Sequence, residues 1–309
     1  MRGCLIEKQK IIVIQGPTGV GKTTVALRLS EKIPIEIINA DSMQFYRYMD
    51  IGTSKPTPEE QKAVPHHLFS VVNPDESFNA AQFMQIGRQT VDDIVSRDRI
   101  PVVVGGTGLY IKALTKGLFA VPEGDENLRG KLRTESKEEL FERLIEVDPE
   151  ASFRIDPNDV VRVIRALEVY YLTGEPISRH HRKHSFQDTP YNCFKICLTR
   201  DRESLYRRIE RRIDQMMEKG FLQEVRSLID MGFSPQIKPL QSIGYSQMVR
   251  CIQGQISRDE AVSQIKKETK RFAKRQLTWF RHDPELIWIK LPERAGEAEE
   301  LVKKFLNIC

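Results

Sequence analysis

Eight consecutive residues, Gly16, Pro17, Thr18, Gly19, Val20, Gly21, Lys22 and Thr23, fill every fixed position of the pattern G-x-x-x-x-G-K-[ST]. Residues of these types at this spacing hold a diphosphate or triphosphate. Glycines let successive backbone N–H groups turn inward around phosphate oxygens, and a helix starting there offers the positive end of its dipole. Lys22 adds a point charge, and the Thr23 hydroxyl suits a Mg2+ ligand. The context agrees: the apolar run 11–15 reads as a buried strand, and residues 22–32 read as a helix. The loop speaks of phosphate groups and not of hydrolysis. Nucleotide-splitting proteins with such a loop usually place an Asp after a second apolar strand to hold Mg2+. Here the run 102–104 ends in Gly105-Gly106-Thr107-Gly108, without an acid, whereas the run 35–39 leads to Asp41.

A second set of residues could meet a polyanion. The net charge is +5, yet residues 200–281 hold 18 Lys plus Arg against 10 Asp plus Glu, a balance of +8 that leaves −3 for the rest. A basic segment on a mildly acidic protein suits a polyanionic partner, and solvated helix faces would give the same count. Within it, Lys266, Lys270 and Lys274 recur at spacing four, with Lys267, Arg271 and Arg275 beside them. That is a double stripe able to follow a phosphate backbone. Ile265, Phe272 and Trp279 on the same stretch read as core-facing, with stacking on bases as the alternative. Arg208 and Arg212 are four apart and share one helix face. His180, His181, His184, Cys193 and Cys197 match no zinc finger or ribbon spacing, so a basic surface loop is expected there.

The elements that must position these groups alternate first between strand and helix. After the phosphate loop come a strand at 35–39, a loop at 51–58, a third strand at 67–72, a helix at 78–97 capped near Ser77, and a strand at 101–104. That alternation indicates a parallel α/β sheet. Residues 122–190 then carry helical stretches and no strand, and 192–199 returns to strand character. Helices follow at 202–231, 243–252 and 258–280, with a late strand at 286–290 and a helix at 298–306. The predicted organisation is a core beginning at 1–120, a helical insertion at 121–190, and a core completed by basic helices at 191–309. Five scattered cysteines fit a reducing cytoplasm. No apolar run is long enough to span a bilayer, and residues 1–10 carry no signal-peptide pattern.

Several phrases together resemble the tRNA dimethylallyltransferase (isopentenyltransferase) family. They are the phosphate loop, Asn39-Ala-Asp-Ser-Met-Gln-Phe-Tyr-Arg47, Met49-Asp-Ile-Gly-Thr53, Pro65-His-His-Leu68 and Gly105-Gly-Thr-Gly-Leu-Tyr110. Asn158-Asp-Val-Val-Arg-Val-Ile-Arg-Ala-Leu-Glu168, Ile243-Gly-Tyr245 and Lys274-Arg-Gln-Leu-Thr-Trp-Phe280 complete the series. They run in order from about residue 11 to 288 without a departure at the motif positions. Some family members carry a C-terminal zinc finger, and none is read here. The resemblance implies an α/β fold: a P-loop nucleotide-hydrolase-like parallel sheet core with a helical insertion domain and C-terminal helices.

It also implies the reaction. Dimethylallyl diphosphate and adenosine 37 of tRNA, next to the anticodon, give N6-dimethylallyladenosine and diphosphate, with Mg2+ required. By resemblance Asp41 is the general base for the adenine N6 amine, and Thr107 supports it by hydrogen bonding. A helix cap or an outer contact to magnesium also fits Asp41, and an N-cap fits Thr107. Arg212 lies in a segment resembling the one that faces the diphosphate; Arg208 fits a solvated basic face equally well. Residues expected by resemblance to approach the anticodon stem-loop are Asp41, Ser42, Met43, Gln44, Thr107, Arg129, Arg165, Ala166, Leu167, Glu168, Val169, Gln241, Gly244 and Tyr245. Arg162 is a further possible contact. The adenine must leave its stack to reach a buried carboxylate. The expected enzyme is a cytoplasmic monomer. Two other readings share the loop: a small-molecule kinase splitting ATP, and a nucleotide-driven RNA-binding protein. The first lacks its acid after Val104, and the second leaves Asp41 and Thr107 without a purpose.

Overall fold

The apolar run before the phosphate loop forms β1 (Lys10–Gln15) in the computed structural model of the chain, in which residues 8–119, 122–184 and 188–308 are described. Ile11, Ile12, Val13 and Ile14 have no exposed surface, because β1 lies inside a parallel sheet covered on both faces. Burying each contributes about 2 kcal/mol. Ile12 and Ile14 point into one core cluster, and Ile11 and Val13 into another.

Chain order continues with α1 (Lys22–Ser30), β2 (Ile35–Asn39), α2 (Pro58–Ala63), β3 (His66–His67), α3 (Ala80–Val95), β4 (Ile100–Gly105) and α4 (Gly108–Lys116). Five helices follow: α5 (Glu126–Leu132), α6 (Lys137–Val147), α7 (Pro149–Arg154), α8 (Val160–Thr173) and α9 (Ile177–His184). The chain then returns through β5 (Asn192–Thr199), α10 (Arg202–Glu218), α11 (Phe221–Asp230), α12 (Tyr245–Ile252), α13 (Arg258–Phe280), β6 (Ile287–Lys290) and α14 (Ala295–Leu306). Met1–Thr115 with Pro190–Cys309 makes one compact unit and Lys116–Thr189 the other. The second has its own core, in which Leu140, Leu144, Leu167 and Val169 are buried.

The six strands are parallel in the order β3-β2-β4-β1-β5-β6. The connection after β1 leads toward β2, and the chain after β4 crosses to β5 on the other side. The order therefore reverses between β4 and β1, and ligands of open parallel sheets bind outside the carboxyl ends of strands at such a point. The phosphate loop follows β1 and Gly106-Thr107 follows β4, so both candidate loops stand there.

Three expectations change in detail. The strand expected at 67–72 is two residues long, with only an isolated bridge from Tyr46 to Val72 beyond it. The cap of α3 is Asn79 and not Ser77: its side chain accepts the N–H groups of Ala81 and Gln82, while Gln82 returns to the Asn79 N–H. The helix expected over 202–231 breaks at Gly220, whose φ of 94° is left-handed backbone. Among the described residues, no helix is long and apolar enough to cross a membrane.

The turns after β2 and β4 press together. A Cβ on Gly105 would stand 2.2 Å from the Ala40 carbonyl oxygen, a backbone atom with no freedom to swing away. Gly105→Ala should cost about 3 kcal/mol, read from the midpoint of chemical denaturation; an unchanged midpoint would contradict this packing.

Candidate functional site

The loop Gly16–Thr23 turns at glycines whose φ is positive, +78° at Gly19 and +111° at Gly21, values that L side chains rarely adopt. Lys22 opens α1, and its ammonium donates to the carbonyls of Gly16 at 2.9 Å and Pro17 at 3.2 Å. Burial pulls this ammonium down to about 8, with the Asp41 charge opposing the fall and the Arg212 charge adding to it. All three groups thus act on one another, and an arriving anion would further favour the charged form of Lys22. Thr23, the next residue of α1, is partly exposed, and its hydroxyl makes no hydrogen bond among the described residues. A free hydroxyl at the end of the phosphate loop fits Mg2+, a hard ion that takes few protein oxygens and completes its shell with phosphate and water.

Arginines grip the loop from the α10 side. Arg212 Nη1 donates to Thr18 Oγ1 at 3.3 Å, its Nη2 to the Thr53 carbonyl at 3.3 Å, and its Nε to Ser54 Oγ at 2.9 Å. Burial lowers its pKa while the Asp41 charge raises it. Arg208 Nε donates to the Gly19 carbonyl at 2.9 Å, and Arg200 Nε to the Val20 carbonyl at 2.8 Å. Arg208 therefore touches the loop although its side chain is exposed.

Asp41 and Thr107 meet through backbone. Asp41 Oδ1 accepts the Met43 N–H at 3.0 Å, and the Asp41 N–H donates to Asn39 Oδ1 at 2.8 Å. The second carboxylate oxygen makes no hydrogen bond among the described residues. Asp41 thus closes a local turn and not a helix, so the helix-cap alternative is not what the structure shows, and one carboxylate oxygen stays uncommitted. Thr107 stands just before α4, yet its Oγ1 accepts the Ser42 N–H at 3.0 Å and donates to Ser42 Oγ at 3.3 Å. Its side chain joins the two turns instead of capping α4. Gln44 donates to the carbonyls of Thr53 at 3.1 Å and Ser54 at 3.2 Å, the turn that also holds Arg212.

Two residues of this region were not among the expected site residues. Glu224 accepts three successive backbone N–H groups, of Asp50 at 2.8 Å, Ile51 at 2.6 Å and Gly52 at 3.0 Å, and the Tyr245 hydroxyl at 2.8 Å. It anchors the loop that supports Arg212. Gln276 joins the phosphate loop to Gly106. It occupies the buried stripe of α13 with Ala261, Ile265, Ala273 and Phe280, so a polar residue on an apolar stripe was the available sign.

The sequence model of the family described as IPP transferase matches residues 44–283. A tRNA dimethylallyltransferase of Geobacter metallireducens is 48% identical, covering 97% of this chain and 99% of the relative. The chain belongs to the tRNA dimethylallyltransferase family. The crystal structure of the tRNA isopentenylpyrophosphate transferase of Bacillus halodurans is similar at a TM-score of 0.73 and 38% identity, covering 97% of each chain. A eukaryotic dimethylallyltransferase acting on tRNA is similar at a TM-score of 0.84 and 27% identity, covering 97% of this chain and 80% of that one. The α/β fold with a parallel P-loop-type sheet and the prenyl transferase class both agree with the expectation from sequence.

In this chain the basic stripe of α13 is divided. Lys266 pairs with Asp214 at 2.6 Å and Lys270 with Glu210 at 2.5 Å, both on α10. The exposed basic groups are Lys267, Arg271, Lys274 and Arg275. Ile265 is in the core as expected, but Phe272 and Trp279 are 37% and 44% exposed. Their helical period is correct, yet they fall beside the packed stripe and not within it.

The residues expected to face RNA also separate by burial. Ala166, Leu167, Glu168 and Val169 are buried in the helical unit, so their side chains line its core. Gly244 and Tyr245 are buried too, whereas Gln241 is exposed and Ser42, Met43 and Gln44 are partly so. Arg129 and Arg165 are partly exposed, and both bond the fully buried Glu168, at 2.8 Å and 2.5 Å. His180, His181 and His184, expected on a basic surface loop, lie instead on the helix α9, and Cys193 and Cys197 lie on β5 in the other unit.

Burial alone would raise the Glu168 carboxylate, but hydrogen bonds from Arg165, Arg129 and the Asp125 N–H outweigh it and hold it below the usual range. It therefore stabilises the fold at neutral pH, and that contribution is lost as the pH falls through the lowered value. Glu168→Ala should destabilise the transferase by about 2 kcal/mol. That is below the usual cost of breaking a buried pair, because the two arginines left behind can turn to water. Thermal unfolding at pH 7 and at pH 3 checks both parts: the difference from wild type should shrink at the lower pH.

Proposed function

We propose that this chain transfers the dimethylallyl group of dimethylallyl diphosphate to N6 of adenosine 37 in tRNA, next to the anticodon, releasing diphosphate. One observation carries the reading. A carboxylate with an uncommitted oxygen stands close enough to Lys22 and Arg212 for its charge to act on both. A phosphate seat and a proton acceptor thus share one site at the carboxyl ends of the strands.

The exocyclic amine of adenine is a weak nucleophile because its lone pair is delocalised into the ring. As the new C–N bond forms at the allylic carbon, Asp41 takes the N6 proton. The C–O bond breaks, and its electron pair leaves with the diphosphate. The charge that develops there meets the loop N–H groups, Lys22 and Arg212, donors already in place. Thr107 holds the Asp41 turn through Ser42. Thr23 and the diphosphate oxygens would hold Mg2+, which when bound neutralises charge on the leaving group.

On the RNA side, the anticodon stem-loop meets Ser42, Met43, Gln44 and Gln241, with Gly244 and Tyr245 shaping the wall behind them. Arg129 and Arg165 of the insertion at 121–190 contact phosphates, with the core formed by 1–120 and 191–309. The exposed basic groups of α13 extend that contact. The adenine flips out of its stack to reach Asp41. That Cys193, Cys197 and Cys251 form no disulfide among the described residues suits a reducing cytoplasm, and the enzyme acts as a monomer.

The test is a transfer assay with purified protein, Mg2+, labelled dimethylallyl diphosphate and an anticodon stem-loop RNA carrying adenine just 3′ of the anticodon, beside an ATP-only reaction. Label on the RNA is the expected result. No label together with steady ATP turnover would overturn the reading in favour of a kinase or ATPase.

A further inference from the structure

The side chain of Gln276 is buried near the end of α13. Its Oε1 accepts the Thr18 N–H at 2.9 Å, and its Nε2 donates to the Gly106 carbonyl at 2.9 Å. Thr18 belongs to the phosphate loop, and Gly106 immediately precedes Thr107. From there the bonds continue toward the carboxylate. The Thr107 N–H donates to the Ala40 carbonyl at 3.1 Å, and Thr107 Oγ1 accepts the Ser42 N–H at 3.0 Å. Ala40 and Ser42 flank Asp41. One amide therefore closes a chain of hydrogen bonds from the phosphate loop to the proton acceptor.

Only a side chain that both donates and accepts, at this length, makes both contacts. The approach is close: a Cβ on Gly106 would stand 2.3 Å from Gln276 Nε2, and one on Gly108 would stand 2.0 Å from Trp279 Nε1. Arg200, Arg208 and Arg212 hold the phosphate loop from the α10 side. Gln276 holds it from the side of the Asp41 and Thr107 turns.

We propose that Gln276 is a positioning residue for the transfer step. It fixes the distance between the seated diphosphate and Asp41, and so governs the chemical step rather than the binding of either substrate. The inference rests on the reading of the phosphate loop and Asp41 given under Proposed function.

Two variants test it: Gln276→Met, of similar length without either hydrogen bond, and Gln276→Asn, an amide too short to span both partners. The expected result is a single-turnover transfer rate lower by about a hundredfold, the scale for a misplacement near 1 Å. The affinities for inorganic diphosphate and for the stem-loop RNA should change by less than about threefold. Normal RNA affinity shows that a variant is folded, and either variant alone suffices. A transfer rate near that of wild type overturns the proposal, as does a loss that lies wholly in diphosphate affinity. Failure of the wild type itself to label RNA would instead overturn the underlying reading of the site.

Discussion

Asp41→Asn should slow prenyl transfer by about 10²–10⁴-fold, the range for removing a general base, while stem-loop RNA still binds. The substitution is conservative in shape. An amide oxygen can still accept the Met43 N–H that Asp41 Oδ1 accepts at 3.0 Å, so the turn after β2 survives. What is lost is a group able to take the N6 proton. The negative charge that helps keep Lys22 and Arg212 protonated is lost with it. Single-turnover rates at saturating donor and RNA give the first effect, and filter binding of the RNA gives the second. A rate within threefold of wild type would remove Asp41 from the chemistry.

Arg212→Lys should lower kcat/KM for dimethylallyl diphosphate by about 10²–10³-fold, the scale for losing one preorganised donor at a developing anion. A lysine keeps the charge but not the fork. The guanidinium bonds Thr18, Thr53 and Ser54 at once, and an ammonium on a flexible stem cannot reproduce that orientation. The loop at 50–54 keeps its Glu224 anchor, so the effect reads the clamp and not a collapsed support. Steady-state kinetics at varied donor concentration checks it; unchanged kinetics would assign the diphosphate to other groups.

How far the site was legible in the sequence depended on the range of the interactions. The phosphate loop was readable because eight neighbouring residues specify a backbone shape that only glycines permit. The strands around it were readable because buried parallel strands are unbroken apolar runs, as in β1 and β4. The helices α5 to α9 showed as a long stretch without such runs. Gln276 and Glu224 were not readable as site residues, because their partners lie far away in sequence, 258 and 170 positions from Gln276 and about as far from Glu224. The α13 stripe shows the same limit. Periodicity placed Lys266 and Lys270 on one face correctly, but it could not show that α10 lies alongside with Asp214 and Glu210. At Glu168 the motif was legible and the burial was not. A charged residue at the end of a recognisable phrase read as an RNA contact, whereas here it is the buried partner of two arginines.

The most direct test of the central claim is a transfer assay in which one atom group of the acceptor is removed. A stem-loop RNA would carry purine riboside, adenine without its exocyclic amine, at the position just 3′ of the anticodon, with every other nucleotide unchanged. The account predicts that this RNA binds like the adenine form and takes no label from dimethylallyl diphosphate. Label transferred at the rate seen with adenine would contradict it, because the prenyl group would then be attached to some atom other than N6.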